Sequence, residues 1–392
     1  MNKYEDLGIV LISASMMYIN VLLSIPILIY SIIKNSKYLS ITIPLFFSII
    51  AYNIIPTYEY DLYRIYENYQ QYELFGEYFF VRDGFLLFLY SLIKTLGLSR
   101  ELLPFIACFL IFYSKISFVQ SLNDELVAKS KNYIFLFLCI SLMSVPLLQF
   151  SGIRFSSAIA FLTLSIAFLN QNKTYHALLF CILAVFCHVS SLIFVLAWGL
   201  SLILRGCLDK IKFFLILTSL VIGFFSTEIV QFVSHYVDIV NSLVGWNFFS
   251  VETYITGEWG IDRLSNLNET GALVLNITKM IVMYFLIYTV IFLPNNKVTG
   301  CYIILISMAL MFYQFGTLFD RISQFAIILM IYTFLKNTNM LYSSKSYSVH
   351  LFLLFSSFFI FRAIDYRNSH EIIVSAFMEI SNLSIMHIIL GG

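Results

Sequence analysis

Residues 151–191 read SGIRFSSAIAFLTLSIAFLNQNKTYHALLFCILAVFCHVSS: an apolar run, a polar turn Asn170-Gln171-Asn172-Lys173, a second apolar run, then His188-Val189-Ser190-Ser191. Two hydrophobic passes with a lysine turn between them bring their far ends to one face of a membrane. That face carries Arg154 and His188. An arginine at the centre of a bilayer-spanning helix costs roughly 2.5–3.5 kcal/mol on insertion scales and less near the interface, so it marks an ionic partner or a functional purpose. Ser151, Gly152, Ser156 and Ser157 leave room beside this guanidinium for a polar ligand.

The rest of the chain has the same character. Of its 392 residues, 60% are hydrophobic, 18% aromatic and 11% charged, and the apolar residues fall in runs of membrane-spanning length. This is an all-α polytopic integral membrane protein with about 12–14 transmembrane or re-entrant helices and outer-face loops. Runs without period-two alternation exclude an outer-membrane barrel. The net charge of +1 says nothing about nucleic acid, and no Lys/Arg-rich block exists to bind it, so no nucleic-acid partner is expected. Six cysteines without CxxC spacing read as small core residues, and no metal, nucleotide or dinucleotide motif is present. The sequence implies no cofactor.

Candidate spans cover 8–33, 38–56, 84–98, 102–120, 133–150, 153–170, 175–187, 190–204, 213–232, 272–293, 298–318, 322–335, 349–361 and 372–390. The stretch 8–33 reads as one retained first helix. Lysines and arginines at 34, 37, 129, 131, 173, 205, 210, 212, 297, 336 and 345 place those turns in the cytoplasm. Loops 57–83, 233–271 and 362–371 then fall outside. One conflict remains: loop 57–83 outside and Lys129/Lys131 inside are incompatible if 84–98 and 102–120 are both simple crossings. Either 84–98 is a re-entrant arm or one loop breaks the charge rule. With no internal repeat, 1–392 reads as a single membrane domain.

The loop 57–83 repeats tyrosine at 60, 63, 66, 69 and 72, a spacing that suits an amphipathic interfacial helix. Asp61 and Arg64 are i,i+3 neighbours on it. They read either as a solvated salt bridge in an aromatic belt or as a carbohydrate platform with Asp61 as base. Arg82-Asp83-Gly84-Phe85 follows. The large loop 233–271 mixes Trp246 and Trp259 with acids and Arg263, as a sugar-reading loop or a plain surface loop. Asp320-Arg321 stands between two apolar runs, and Arg362, Asp365, Arg367, His370 and Glu371 form a last cluster read as a solvated turn. Lys94, Lys115, Lys279 and Glu228 read as snorkelling or helix-end charges.

Taken together, Ile153-Arg154-x-x-x-Ala158-x-Ala160, the lysine turn and Phe186-Cys187-His188-Val189-Ser190 resemble the EpsG/Wzy-type family of bacterial polysaccharide polymerases. Asp61-Leu62-Tyr63-Arg64 resembles that family's first-loop motif. In Arg82-Asp83-Gly84-Phe85, Asp83 takes the acidic position of that family's acidic-Pro-x-Phe motif and Gly84 replaces the proline, and Phe155 stands where the family commonly has glutamine. The resemblance implies a GT-C-like membrane glycosyltransferase at the outer face of the bacterial inner membrane. It implies undecaprenyl-diphosphate-linked oligosaccharides as substrates, with a chain-length regulator and a flippase as partners. Mapped onto this chain, Arg154 and Arg321 hold the diphosphate. Asp61, Asp83 and His188 are catalytic, and Tyr63, Arg64, Tyr66, Arg82, Trp259 and Arg263 contact sugar. A flippase of lipid-linked oligosaccharide and an O-antigen ligase remain as alternatives; only the acceptor separates ligase from polymerase.

Overall fold

The apolar runs fold as helices, and no strand occurs among the described residues of the computed structural model, which are 3–73, 84–122, 131–226, 228, 269–291, 298–336 and 345–390. In chain order the α-helices are α1 (Lys3–Ile19), α2 (Ile25–Lys34), α3 (Leu39–Tyr52), α4 (Asp61–Gln71), α5 (Gly84–Thr95), α6 (Leu102–Ser121), α7 (Lys131–Met143) and α8 (Ile153–Asn170). They continue as α9 (Thr174–Cys187), α10 (Leu192–Ile203), α11 (Arg205–Phe224), α12 (Glu269–Ile291), α13 (Thr299–Met311), α14 (Gly316–Lys336), α15 (Lys345–Ser375) and α16 (Ile385–Leu390). Five stretches are long and apolar enough to cross a membrane: Leu102–Ser121, Ile153–Asn170, Gly271–Val290, Gly316–Phe334 and Lys345–Ser375. Shorter apolar helices accompany them, so the chain is a multi-pass membrane protein. It divides into two compact units, Met1–Leu192 with Val349–Gly392, and Ile193–Ser348.

In the first unit α8 is the central helix. Every residue from Ser156 to Ala167 is buried, which suits a helix apolar or small on all sides. Its small residues let neighbours approach: Ser165 Oγ lies 3.1 Å from Cys181 Sγ on α9. Helix α9 is one-sided, with Ala177, Cys181, Ala184 and Cys187 buried while Leu178, Leu179, Ile182 and Phe186 are exposed. Large apolar side chains on the outside are what a lipid-facing helix requires. None of the six cysteines forms a disulfide, and four of them are buried.

Side-chain hydrogen bonds fix two ends of this unit. At the lysine end, Gln120 Nε2 donates to Ser36 O (3.1 Å) and Lys37 O (3.4 Å), and Asn170 Nδ2 donates to Ser121 O (2.9 Å). At the opposite end, Tyr52 Oη donates to Ser99 Oγ (3.3 Å) and Asn53 Nδ2 to Asn382 O (3.4 Å). Val145, Phe150, Ile153, Leu62, Leu103 and Ile372 share one apolar core with Ile54 there, so the head of α8 belongs to the same end.

This arrangement resolves the conflict in the charge pattern. Helices α3 and α6 run antiparallel between the two ends, and Phe47 stacks on Phe112 midway (4.2 Å). Helix α5 does not cross. Its last turn is tied to α4, because Lys94 Nζ donates to the Gln70 and Tyr72 carbonyls, and Tyr90 Oη donates to Ile65 O (2.9 Å). Its first residues lie deeper, where Phe85 meets Phe161 of α8 (5.7 Å), about two turns below Arg154. Twelve residues rise about 18 Å, short of the roughly 30 Å hydrocarbon layer. Helix α5 is therefore a re-entrant arm, and the chain after α6 emerges at the lysine end.

Three expectations are corrected. The stretch 8–33 is a helical hairpin rather than one helix: Asn20 Oδ1 accepts from Leu22 N (2.9 Å), capping a 3₁₀ turn, and Pro26 starts α2. Tyr30 Oη then donates to Glu5 (3.1 Å) and Ser36 Oγ to Asp6 (2.7 Å), so α2 returns alongside α1. Residues 362–371 are helical within α15, with a kink at Ser369, and Arg362 pairs with Asp365. An i,i+3 ion pair sets the two opposite charges side by side on one helix face and lets the helix continue. Lys115 and Lys279 are 4% and 2% exposed, so neither snorkels to solvent.

In the second unit α11 and α13 pack closely through Gly223, and α13 is buried from Thr299 to Tyr302. Tyr302 Oη donates to Leu286 O on α12 (3.0 Å). Phe194 of α10 contacts Phe325 of α14 (5.0 Å).

Candidate functional site

Arg154 is the second residue of α8, set there by the 3₁₀ turn Gln149–Ser151 and Gly152. Ser156 Oγ donates back to Gln149 O, fastening the turn to the helix. The neighbouring Phe155 presents its ring edge-on to His188 (5.7 Å), so the starts and ends of the two passes meet as their length and turn imply. Both Arg154 and His188 are half-buried.

His188 terminates α9 in an extended conformation (φ −156°, ψ 117°) and caps the next turn. Its Nδ1 accepts from Ser190 N (3.2 Å) and lies 2.6 Å from Ser190 Oγ. A backbone N–H aimed at Nδ1 assigns the neutral ring's proton to Nε2. The imidazole is thereby set up as a hydrogen-bond donor through Nε2. The start of α5 abuts the same region, where a Cβ added to Gly84 would come within 2.3 Å of the Phe186 ring. Glycine at position 84 thus permits a close approach that a side chain would block.

The tyrosine-rich segment forms the helix that its spacing predicts. Leu62, Ile65 and Tyr66 of α4 are buried, while Asp61 and Arg64 form a surface pair (3.9 Å) with half or more of each side chain exposed. A pair this exposed contributes little to stability. The inward side of α4 closes a cleft of about 690 Å³, lined also by residues 52–56, 99–101 and parts of 375–387. Tyr63 and Tyr66 are in that lining, and Asp61 and Arg64 are not. Sequence reasoning missed the other walls. The Arg100 guanidinium stacks on the Tyr66 ring (4.7 Å) and pairs with Glu101 (3.2 Å), and Ser99 Oγ donates to the same carboxylate. His387 meets Tyr52 edge-on (6.4 Å), and the Asn382 amide donates to Glu379. Burial and the Glu101 carboxylate raise the Tyr66 phenol well above its ordinary range, so it stays an O–H. Burial, with Glu59 and Glu371, also raises Tyr60.

Arg321 lies in the second unit, within α14 and not between helices, and Asp320 precedes it. Ser323 Oγ donates to Asp320 O (3.1 Å). Near this junction the buried Lys279 donates to Tyr313 O (3.4 Å) and sits over the rings of Tyr313 (5.8 Å) and Phe319 (5.9 Å). An intramembrane lysine facing an aromatic pair is the signal that could have marked it. Arg82, Asp83, Trp259 and Arg263 lie outside the described residues.

A family model described as the EpsG family matches residues 38–379, which takes in α3 to α15 and every site residue named above except His387 and Asn382. No curated protein and no solved structure matches the chain. The match covers well over half of the sequence, and the chain belongs to the EpsG family of polysaccharide-synthesis membrane proteins.

Proposed function

We propose that this protein is a polysaccharide polymerase, a glycosyltransferase that joins polyprenyl-diphosphate-linked oligosaccharide repeat units at the outer face of the bacterial inner membrane. The observation that carries the reading is that Arg154 and His188 lie at one end of the first unit, opposite the lysine end, where the neighbouring Phe155 meets the His188 ring edge-on (5.7 Å). The positive-inside rule assigns the lysine end to the cytoplasm, which puts Arg154 and His188 outside.

In this reaction a terminal hydroxyl of the acceptor attacks the anomeric carbon of the donor. A new C–O bond forms, the bond to the diphosphate breaks, and polyprenyl diphosphate leaves with the electron pair. Arg154 supplies a planar, permanently charged fork that matches phosphate oxygens and stabilises the departing charge. His188, with its proton on Nε2, donates to the same anion. A first-loop carboxylate, Asp61 or Asp83, takes the hydroxyl proton. The substrates are undecaprenyl-diphosphate-linked oligosaccharides, and a flippase and a chain-length regulator act before and alongside the enzyme.

The test is the glycan ladder of cells lacking the protein, complemented with wild type or Arg154→Ala at matched membrane expression. Single repeat units in the null strain, a ladder restored by wild type and its loss with Arg154→Ala are the expected results. Lipid-linked units accumulating on the cytoplasmic face would replace the polymerase with a flippase, and an unchanged ladder in the null strain would remove polymerisation altogether.

A further inference from the structure

We propose that the cleft between α4, residues 99–101 and the C-terminal segment is a saccharide subsite that accepts neutral or amino sugars and rejects uronic acids. Four observations lead there.

Its size of about 690 Å³ falls within the range of ligand pockets, roughly 300–1,000 Å³. Its walls alternate aromatic faces with short polar groups, Tyr52, Tyr63 and Tyr66 against Asn53, Gln70 and Ser99. Rings that cover the apolar C–H face of a sugar, beside amides and hydroxyls that pair with its hydroxyls, are what a carbohydrate needs.

Tyr66 supplies the second observation. It is 6% exposed and its hydroxyl has no hydrogen-bond partner. A buried hydroxyl without a partner costs about 1–3 kcal/mol, so such a group in a pocket wall points to a ligand that completes it. The phenol is held protonated, and a sugar hydroxyl or ring oxygen satisfies it.

The charge balance gives the specificity. The lining holds three carboxylates, Glu67, Glu101 and Glu379, and one guanidinium, Arg100, a formal balance of −2 before His387 is counted. The guanidinium is already engaged by Glu101 and the Tyr66 ring. A uronate entering this cleft meets like charge, whereas a neutral sugar is tolerated and an ammonium is attracted.

Finally, the cleft is built before any ligand arrives. Its C-terminal wall is held by Val21 N donating to Leu383 O (2.7 Å) and Asn20 Nδ2 to Ile380 O (2.6 Å), and Ile55 N donates to Ser375 Oγ (3.2 Å). A fixed wall lowers the entropy that binding must overcome.

The inference rests on the polymerase reading only in taking the saccharide to be the cell's own repeat unit. The experiment uses the full chain in lipid nanodiscs and, as probe, oligosaccharides from partial hydrolysis of the cell's own exopolysaccharide, with binding measured by calorimetry at low ionic strength. The same oligosaccharides are also tested after de-N-acetylation and after oxidation of their primary hydroxyls to uronates. The untreated probe binds, the de-N-acetylated one binds more tightly, and the oxidised one binds at least about tenfold more weakly, a gap that narrows with salt. Tyr66→Phe, which removes only the unpartnered hydroxyl and should fold normally, weakens the untreated probe about tenfold. The double variant Glu101→Gln, Glu379→Gln restores binding of the oxidised probe. Absence of binding by every probe, equal binding of oxidised and untreated probes, or wild-type affinity in Tyr66→Phe overturns the subsite. If any of these occurs while the ladder still depends on the protein, the subsite fails and the polymerase stands; an intact ladder in the null strain defeats the polymerase reading itself.

Discussion

Gly223 and Gly199 are both helical glycines of the second unit, and the structure gives alanine opposite effects at the two. At Gly223 on α11 an added Cβ would stand 2.3 Å from the Leu310 carbonyl oxygen of α13 and 3.3 Å from its carbonyl carbon. That is about 1 Å inside ordinary contact. The obstruction is backbone, and the same oxygen accepts from Tyr313 N (3.3 Å), so it cannot swing aside as a side-chain tip would. The helices must separate, and a gap of 0.5–1 Å forfeits roughly a quarter to a half of the dispersion energy of each contact along the seam. Overpacking of this kind costs about 2–3 kcal/mol. At Gly199 on α10 nothing lies within 4 Å, and alanine removes the entropic penalty of a helical glycine, a gain of about 0.5–1 kcal/mol. The two substitutions should therefore differ by about 3 kcal/mol in unfolding free energy, measured by denaturing-detergent titration of the purified protein in mixed micelles. Gly223→Ala as stable as Gly199→Ala would refute the claim that α11 and α13 cross backbone to backbone.

Three further outcomes follow from the first unit. Arg154→Lys keeps the charge but loses the fork, so it should shorten the glycan ladder where Arg154→Ala abolishes it, read by gel at matched expression. Lys94→Met removes the cation from the C-terminal carbonyls of α4, at a cost of about 1 kcal/mol. Hydrogen exchange should then quicken in residues 61–71 and not in α8; unchanged protection of 61–71 would show that α4 does not depend on the re-entrant arm. Tyr66→Phe should leave thermal stability unchanged or raise it by the equivalent of about 1 kcal/mol, because the lost hydroxyl had no partner; a marked loss of stability would mean that the hydroxyl is satisfied within the protein.

What could be read in advance followed hydrophobic run length and spacing. The α8–α9 pair, the convergence of Arg154 and His188 and the tyrosine helix are all local consequences of pattern, and they form as the spacing requires. The hairpin at Asn20 was hidden because a single asparagine in a largely apolar stretch looks like a tolerated substitution until its cap is seen. Arg362 and Asp365 looked like a turn because composition alone does not distinguish a charged turn from an i,i+3 pair inside a helix. The cleft was illegible for another reason. Its walls come from residues 52–56, 63–70, 99–101 and 375–387, which only tertiary contacts bring together. Tyr63 and Tyr66 were visible, but Arg100, which stacks on the Tyr66 ring, and its partner Glu101 carry no motif that marks them.

The re-entrant arm is the element that ties these pieces into one working surface. Its first residues press against Phe186, next to Cys187 and His188, and its last turn holds the end of α4 through Lys94. The chain that leaves it goes directly into Ser99, Arg100 and Glu101 of the cleft wall. A crossing helix in this position would carry residues 99–101 to the lysine end and leave the cleft without one side. Twelve residues, too few to span the bilayer, instead return the chain to the end where Arg154 lies. The short length of α5 thus keeps residues 99–101 at that end. On the proposed polymerase reading, Arg154 and His188 would meet the diphosphate of a lipid-linked substrate and the cleft its sugars, both at the end of the first unit to which α5 returns the chain. A free sugar would need only the cleft, and a free diphosphate only the arginine.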